Sequence, residues 1–192
     1  ELDRRFGNRA HVAVVPDGTR NFGVPFSALR PPSSAFTIGY AGHLYPWKGV
    51  DLVVEAIAGL PDTRGLIIGG HDKEADLARV RALAEARFCS LRILFTGMLP
   101  PPDVAAKLRD ADVLVLPNPS SALSQAFTSP LKLFEYMAAR RPIVASRIPA
   151  FAGVLRHGEN AWLVAPDSPE ALAEGIESVL ASPALAQRLA EQ

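Results

Sequence analysis

A lysine and a glutamate stand one helical turn apart in the stretch Thr128-Ser-Pro-Leu-Lys-Leu-Phe-Glu-Tyr-Met-Ala-Ala-Arg-Arg-Pro-Ile-Val-Ala-Ser146. The pattern reads as a loop, a helix and a strand. Ser129 suits an N-cap, and Pro130 suits the first helical turn, where no N–H is needed. A helix start offers free backbone N–H groups and a partial positive charge, which suit a phosphate. Lys132 adds a full positive charge where the helix dipole disfavours one, and a nearby anion would remove that conflict. A merely solvated lysine is the alternative, and residue type alone leaves both open. Glu135 lies at the edge of the apolar stripe of Leu131, Phe134 and Ala138. Its carboxylate can accept from two neighbouring hydroxyls, such as those of a ribose. The alternative is an i,i+3 ion pair with Lys132, worth only ~0.2–0.5 kcal/mol.

A second candidate is Gly39-Tyr-Ala-Gly-His-Leu-Tyr-Pro-Trp-Lys-Gly49, read as a strand, a glycine-broken loop and a helix start. Its glycines let the backbone come close to a ligand. Lys48 can reach across the opening to a diphosphate, although a lone loop lysine is usually just exposed. Trp47 has two uses open to it: shielding that loop or meeting another domain.

The elements that must hold these groups are legible as alternating apolar runs and amphipathic stretches. Strands are predicted over residues 11–15, 37–42, 65–69, 92–96, 113–117, 143–146 and 161–164. Most are continuously apolar, as strands buried on both faces are. Helices are predicted over 50–59, 73–86, 103–110, 130–140 and 169–180, and a further helical pattern runs from Pro183 to the end of the chain. Alternating strands and helices imply βαβ units in a doubly wound, mostly parallel Rossmann-like sheet of about six strands, with helices on both faces. In such a sheet ligands bind beyond the carboxyl ends of the strands. That rim comprises residues 42–49, 69–71, 97–98, 117–121 and 146–151, with the helix start at 129–132.

Composition removes several functions. The 192 residues carry 20 Lys plus Arg against 20 Asp plus Glu, so the basic footprint of a general nucleic-acid binder is missing. A single cysteine, Cys89, builds neither a disulfide framework nor a cysteine zinc site; it reads as a small buried hydrophobe in a reducing compartment. No HExxH or CxxC occurs, and four scattered histidines make no metal site; His11 and His71 read as structural or surface residues. There is no GxxxxGK[ST] loop and no GxGxxG after the first strand, which argues against a P-loop enzyme and a standard dinucleotide fold. No apolar run approaches the roughly 18 residues of a membrane helix. The chain reads as one domain, 1–192. Residues 1–10 read as the tail of a preceding segment, and the helical pattern at the end is read as unfinished, so a fragment of a longer two-domain protein is expected.

Taken together, the segments resemble the C-terminal domain of group 1 (family 4) glycosyltransferases. The resemblance runs through Val14-Val-Pro-Asp-Gly18, Gly39 to Gly49, Leu66-Ile-Ile-Gly-Gly70 and Phe95-Thr-Gly97. It continues through Asp110-Ala-Asp-Val-Leu-Val-Leu-Pro117, Ser129 to Ser146 and Gly158-Glu-Asn160 as far as Pro166. Each motif is weak alone; their order and spacing cover nearly the whole chain.

The resemblance implies one half of a GT-B fold that binds a nucleotide sugar, with no cofactor and no bound metal, and usually with retention of anomeric configuration. Lys48 would contact the donor diphosphate and stabilise its charge, Glu135 would hold the ribose hydroxyls, and backbone groups at Met98 and Leu99 would meet the base. Amides around Pro130 to Lys132 would meet the phosphates. Gly42, His43, Gly97, Thr128, Ser129 and Leu131 complete the implied donor set. The acceptor site would lie in a missing N-terminal domain, so the isolated domain is expected to be inactive. A cytoplasmic location is expected, any membrane contact coming from the missing part. Four positions depart from the family pattern. His43 stands where an arginine is frequent, Phe127 takes the first place of a Glu-x7-Glu motif, Arg140 replaces a common glycine, and Gly153 replaces a common glutamate. Two rivals follow: a sugar-nucleotide epimerase of similar architecture, and a degenerate non-catalytic binding module.

Overall fold

The structure is a computed structural model that describes residues 35–192 except 72, 129 and 130. The expected strand at 11–15, the segment 1–10, His11, the Val14 to Gly18 motif, Ser129 and Pro130 therefore lie outside the described residues.

Among the described residues, six strands form one sheet: β1 (Phe36–Ala41), β2 (Thr63–Ile68), β3 (Ile93–Gly97), β4 (Val113–Leu116), β5 (Ile143–Ser146) and β6 (Trp162–Val164). Their order is β3-β2-β1-β4-β5-β6 and every pairing is parallel. This is the strand order of doubly wound sheets, with the topological switch between β1 and β4. The helices are α1 (Val50–Gly59), α2 (Ala75–Ala86), α3 (Pro101–Leu108), α4 (Ala122–Phe127), α5 (Leu131–Ala138), α6 (Pro169–Leu180) and α7 (Pro183–Glu191).

The continuous apolar runs are explained by two cores, one on each face of the sheet. Strand side chains alternate between them. Ile38, Tyr40, Val113 and Val115 join α1, α2, α6 and α7 in one core. Ala41, Leu114 and Leu116 join Leu108 of α3 with Leu133 and Tyr136 of α5 in the other. Asp112, buried just before β4, receives a 2.7 Å hydrogen bond from the Thr37 backbone N–H at the amino edge, opposite the rim.

Some boundaries differ from the expected ones for local reasons. α2 starts at Ala75 because Glu74 is still extended. α3 starts at Pro101, whose fixed φ suits a first helical turn, and ends before the turn at Arg109. α5 stops at Ala138, short of the expected end at Arg140, because Arg140 takes φ +55°. α4 was not expected; it is a six-residue helix whose N-cap, Ser121, accepts from the Ser124 N–H.

Candidate functional site

The carboxyl ends of β1, β2 and β3 are joined into one backbone shelf. Gly42 N–H donates to the Ile68 carbonyl and Gly69 N–H to the Gly97 carbonyl, each at 2.9 Å. Gly69 has φ +127°, and a Cβ there would stand 2.1 Å from the Gly42 carbonyl oxygen. Only glycine lets the two loops approach this closely.

From the shelf, the loop after β1 is braced at two carbonyls. The buried Tyr40 hydroxyl donates to the His43 carbonyl at 2.6 Å. The Arg79 guanidinium donates to the Leu44 carbonyl at 2.7 Å while paired with Asp51 on α1 and Asp76 on α2. Three rings ride on this loop. His43 stacks on Tyr45 at 5.0 Å between centroids, and Tyr45 stacks on Trp47 at 4.5 Å. The loop closes in a 3-10 turn, Pro46–Lys48, followed by Gly49 at φ +74°. A Cβ on Gly49 would lie 2.0 Å from the Pro117 carbonyl oxygen, so the turn sits directly against the loop after β4. Lys48 is thereby held at the β1/β4 switch. Burial, and secondarily the charge of Lys132, push its ammonium below the usual lysine range. Two cations therefore face one region, an arrangement that an anion relieves.

α5 is seated by Leu133 and Tyr136, both fully buried. Lys132 and Glu135 occupy the neighbouring stripe of the same helix. They form the ion pair that residue spacing allowed, Lys132 Nζ donating to Glu135 Oε2 at 3.0 Å, with both side chains more than two-fifths exposed. An exposed pair of this kind is weak and opens readily for a ligand.

Between α3, α5 and the shelf lies a cleft of about 420 Å³, a size suited to a small ligand. Its floor is Ala41, Gly42, His43, Ile68 and Gly69. Met98 and Leu99 follow β3. Pro101, Val104, Ala105, Leu108 and Arg109 form one wall, and Lys132, Glu135, Ala138 and Ala139 form the other. The lining is mostly aliphatic; its polar side chains are His43, Arg109 and the Lys132–Glu135 pair.

Six of the expected donor residues meet in this cleft: Gly42, His43, Met98, Leu99, Lys132 and Glu135. Lys48 stands outside its lining, in the adjoining turn. Gly97 faces a separate recess of about 230 Å³ with His71, Arg81 and Phe95. Thr128 accepts from the Asn118 side-chain amide at 3.2 Å, which ties down the loop ahead of α5. Leu131 is half exposed and does not line the cleft. The α3 wall and the pair Ala138–Ala139 were not expected. Their signal was the apolar edge of the helix crossing from β3 to β4, which packs on the second core through Leu108. Phe127 is the last residue of α4. Among the described residues, no three His, Cys, Asp or Glu side chains converge as metal ligands do. No helix of the described residues is long and apolar enough to cross a membrane.

Comparison with known proteins gives a consistent picture. Residues 26–192 match the family described as glycosyl transferases group 1. The chain is 33% identical over 147 residues to a phosphatidyl-myo-inositol mannosyltransferase of Mycobacterium leprae, covering 74% of this chain and 36% of that protein. It is 31% identical over 197 residues to a glycogen synthase of Mycobacterium tuberculosis, covering 99% of this chain and 45% of the other. The chain thus spans less than half the length of these relatives. Among solved structures, sucrose-phosphate synthase from Thermosynechococcus elongatus superposes with a TM-score of 0.78 at 26% identity, over 99% of this chain and 49% of that one. The Anabaena protein Alr3699/HepE, solved with UDP and glucose, gives 0.71 at 20% identity over 82% of this chain and 42% of its own, a likeness of fold. With the family match, the parallel sheet and the rim cleft in agreement, the chain belongs to the group 1 glycosyl transferases.

Proposed function

We propose that this chain is the donor-binding domain of a two-domain, GT-B glycosyltransferase that takes its sugar from a nucleoside diphosphate sugar. The observation that carries this reading is the order of groups along the cleft. Lys132, with Lys48 beside it, marks a cationic end, Glu135 follows one turn on, and an aliphatic slot extends beyond. A diphosphate, a ribose and a base have the same order of chemistry. The binding of UDP by the structurally similar Anabaena protein supports the reading.

On this reading Glu135 exchanges its weak pairing with Lys132 for the ribose hydroxyls, which frees the Lys132 ammonium for phosphate oxygens. Lys48 neutralises charge that grows on the leaving diphosphate, an electrostatic role whose value comes from being fixed before the reaction. No metal or other cofactor is required, and transfer proceeds with retention. The acceptor is held by a second domain, because transfer needs a hydroxyl fixed against the anomeric carbon with water excluded. The 192-residue chain alone therefore binds donor without transferring sugar.

Titration calorimetry with nucleoside diphosphates and the matching nucleosides tests the assignment. Lys48→Ala is expected to weaken the diphosphates more than the nucleosides. An equal loss for both ligand types would remove Lys48 from the diphosphate site.

A further inference from the structure

The histidine at the floor of the cleft is unused by the reading above. His43 follows Gly42 of the shelf, is exposed, and is the one histidine lining the cleft among the described residues. Its ring is held in place. It stacks on Tyr45 at 5.0 Å with 9° between the planes, and Tyr45 stacks in turn on Trp47, the residue before Lys48. Of these three rings His43 alone lines the cleft, so it ends the column on the ligand side. Its carbonyl accepts from the Tyr40 hydroxyl at 2.6 Å. Its two ring nitrogens have no hydrogen-bond partner among the described residues.

The charges around this ring bear on what it can do. Lys48 follows in the same loop, and Lys132 lines the cleft from α5, where Glu135 pairs with it. Arg109, at the end of α3, is a further cation of the lining. Behind the loop, Arg79 is neutralised by Asp51 and Asp76. The free cleft thus has more cationic groups than anionic ones, and another positive charge gains nothing there. A bound nucleoside diphosphate sugar reverses that balance, because its diphosphate brings two negative charges. An imidazolium then offers two N–H donors to phosphate oxygens, in charge-assisted hydrogen bonds. Histidine is the side chain that ordinarily changes charge between about pH 5 and 8. The face of a tyrosine attracts a cation, so protonation is compatible with the stack on Tyr45.

Resting on the donor-site reading, we infer that His43 is the proton carrier of the diphosphate site: it takes up a proton as the donor binds near neutral pH and joins Lys48 and Lys132 on the phosphates. The sign follows from linkage. An anion favours the imidazolium, so donor affinity is higher at the acid side of the histidine range and falls as pH rises through it. The donor itself has no proton equilibrium there. With a sugar on its terminal phosphate, each phosphorus keeps one acidic oxygen, ionised throughout the range. A proton taken up near neutral pH therefore goes to the protein.

The test takes the whole chain with UDP-glucose, GDP-mannose and ADP-glucose across the histidine range, about pH 5 to 8. Calorimetry in buffers of different ionisation enthalpy gives affinity and proton uptake. The Hε1 resonance of His43, identified by its contact with the Tyr45 ring, reports the charge of the imidazole directly. Wild type is expected to bind its preferred donor roughly tenfold tighter at the acid end, the equivalent of a one-unit shift. It should take up protons near neutral pH, and the His43 resonance should titrate at higher pH with donor bound. His43→Gln is expected to bind with the weaker affinity at both ends, without uptake. His43→Arg, a permanent cation, is expected to bind tightly throughout, without uptake. His71→Gln, in the adjoining recess, should keep the wild-type profile. Thermal melts establish that each variant is folded. Donor binding by wild type without proton uptake, or with an unmoved His43 resonance, would overturn the inference even were the variants unfolded. So would a folded His43→Gln or His43→Arg that keeps the wild-type uptake, or a His71→Gln that loses it. Those results leave the donor site standing. Failure of all three donors to bind wild type at any pH would overturn the donor-site reading and this inference with it.

Discussion

The Tyr136 hydroxyl accepts a hydrogen bond from the Ala41 backbone N–H at 2.7 Å, so a helix of the cleft is fastened to the last residue of the central strand. β4 pairs with β1 only as far as Gly39, and Tyr136 takes over where that ladder stops. Tyr136→Phe keeps the ring in its core and leaves a buried N–H unpaired. The expected loss is about 1–3 kcal/mol, read from the denaturant midpoint with an unchanged slope. A loss within error would mean that another acceptor or water replaces the phenol.

Glu135→Gln retains shape and removes charge. If Glu135 holds the ribose, ribonucleotide affinity falls by about 1–3 kcal/mol, the worth of a hydrogen bond to a charged group, with a smaller fall for 2′-deoxy analogues. Calorimetry on both ligand types checks this. Identical binding of ribo and deoxy forms by wild type would remove the ribose from Glu135.

If Lys48 meets the donor diphosphate, its depressed ammonium makes binding sensitive to alkaline pH. In the free protein, burial and Lys132 hold the folded-state value below the ordinary 10.5. Between that lowered value and 10.5 the unfolded chain binds more protons, so this group makes stability rise with pH there. A diphosphate acts in the opposite sense, since it favours the ammonium. Affinity should therefore fall as pH rises through the lowered range, with proton uptake on binding. Titrations in buffers of different ionisation enthalpy measure the uptake. Lys48→Met should remove it, and uptake that survives in this variant would belong to another group.

Arg140 occupies a left-handed position, φ +55°, immediately after α5, where its N–H donates to the Met137 carbonyl. A side chain there is strained by roughly 1–2 kcal/mol, part of which glycine gives back through its freer unfolded chain. Arg140→Gly is expected to stabilise the protein by ~0.5–1 kcal/mol, seen as a higher melting temperature. A lower one would show that the guanidinium holds the structure more strongly than its backbone strains it.

How far the sequence reveals this arrangement depends on the kind of signal. α1, β5 and α6 have the expected bounds because their apolar patterns start and stop sharply, reinforced at the head of α6 by the Ser168 cap and Pro169. α4 gave no such signal; it is six residues long and depends on the Ser121 cap. At the rim, Lys132 and Glu135 were legible because both lie on one helix at a spacing that fixes their relation. The α3 wall was not, since an apolar stripe shows that Leu108 is buried without showing which helix faces it. Nor did the loop sequence show that Lys48 would stand beside the cleft instead of lining it, a consequence of Gly49 fitting against Pro117.

Arg79 joins two helices to the carbonyl of Leu44 in the ligand-side loop, although it lies on α2, behind that loop. The shape of the loop is thus inherited from the packing of α1 against α2. Substitutions among the residues that set the spacing of these helices can retune the loop from behind, leaving every group that faces the cleft unaltered. In this architecture the preference of the cleft for a ligand can drift through residues that never meet that ligand.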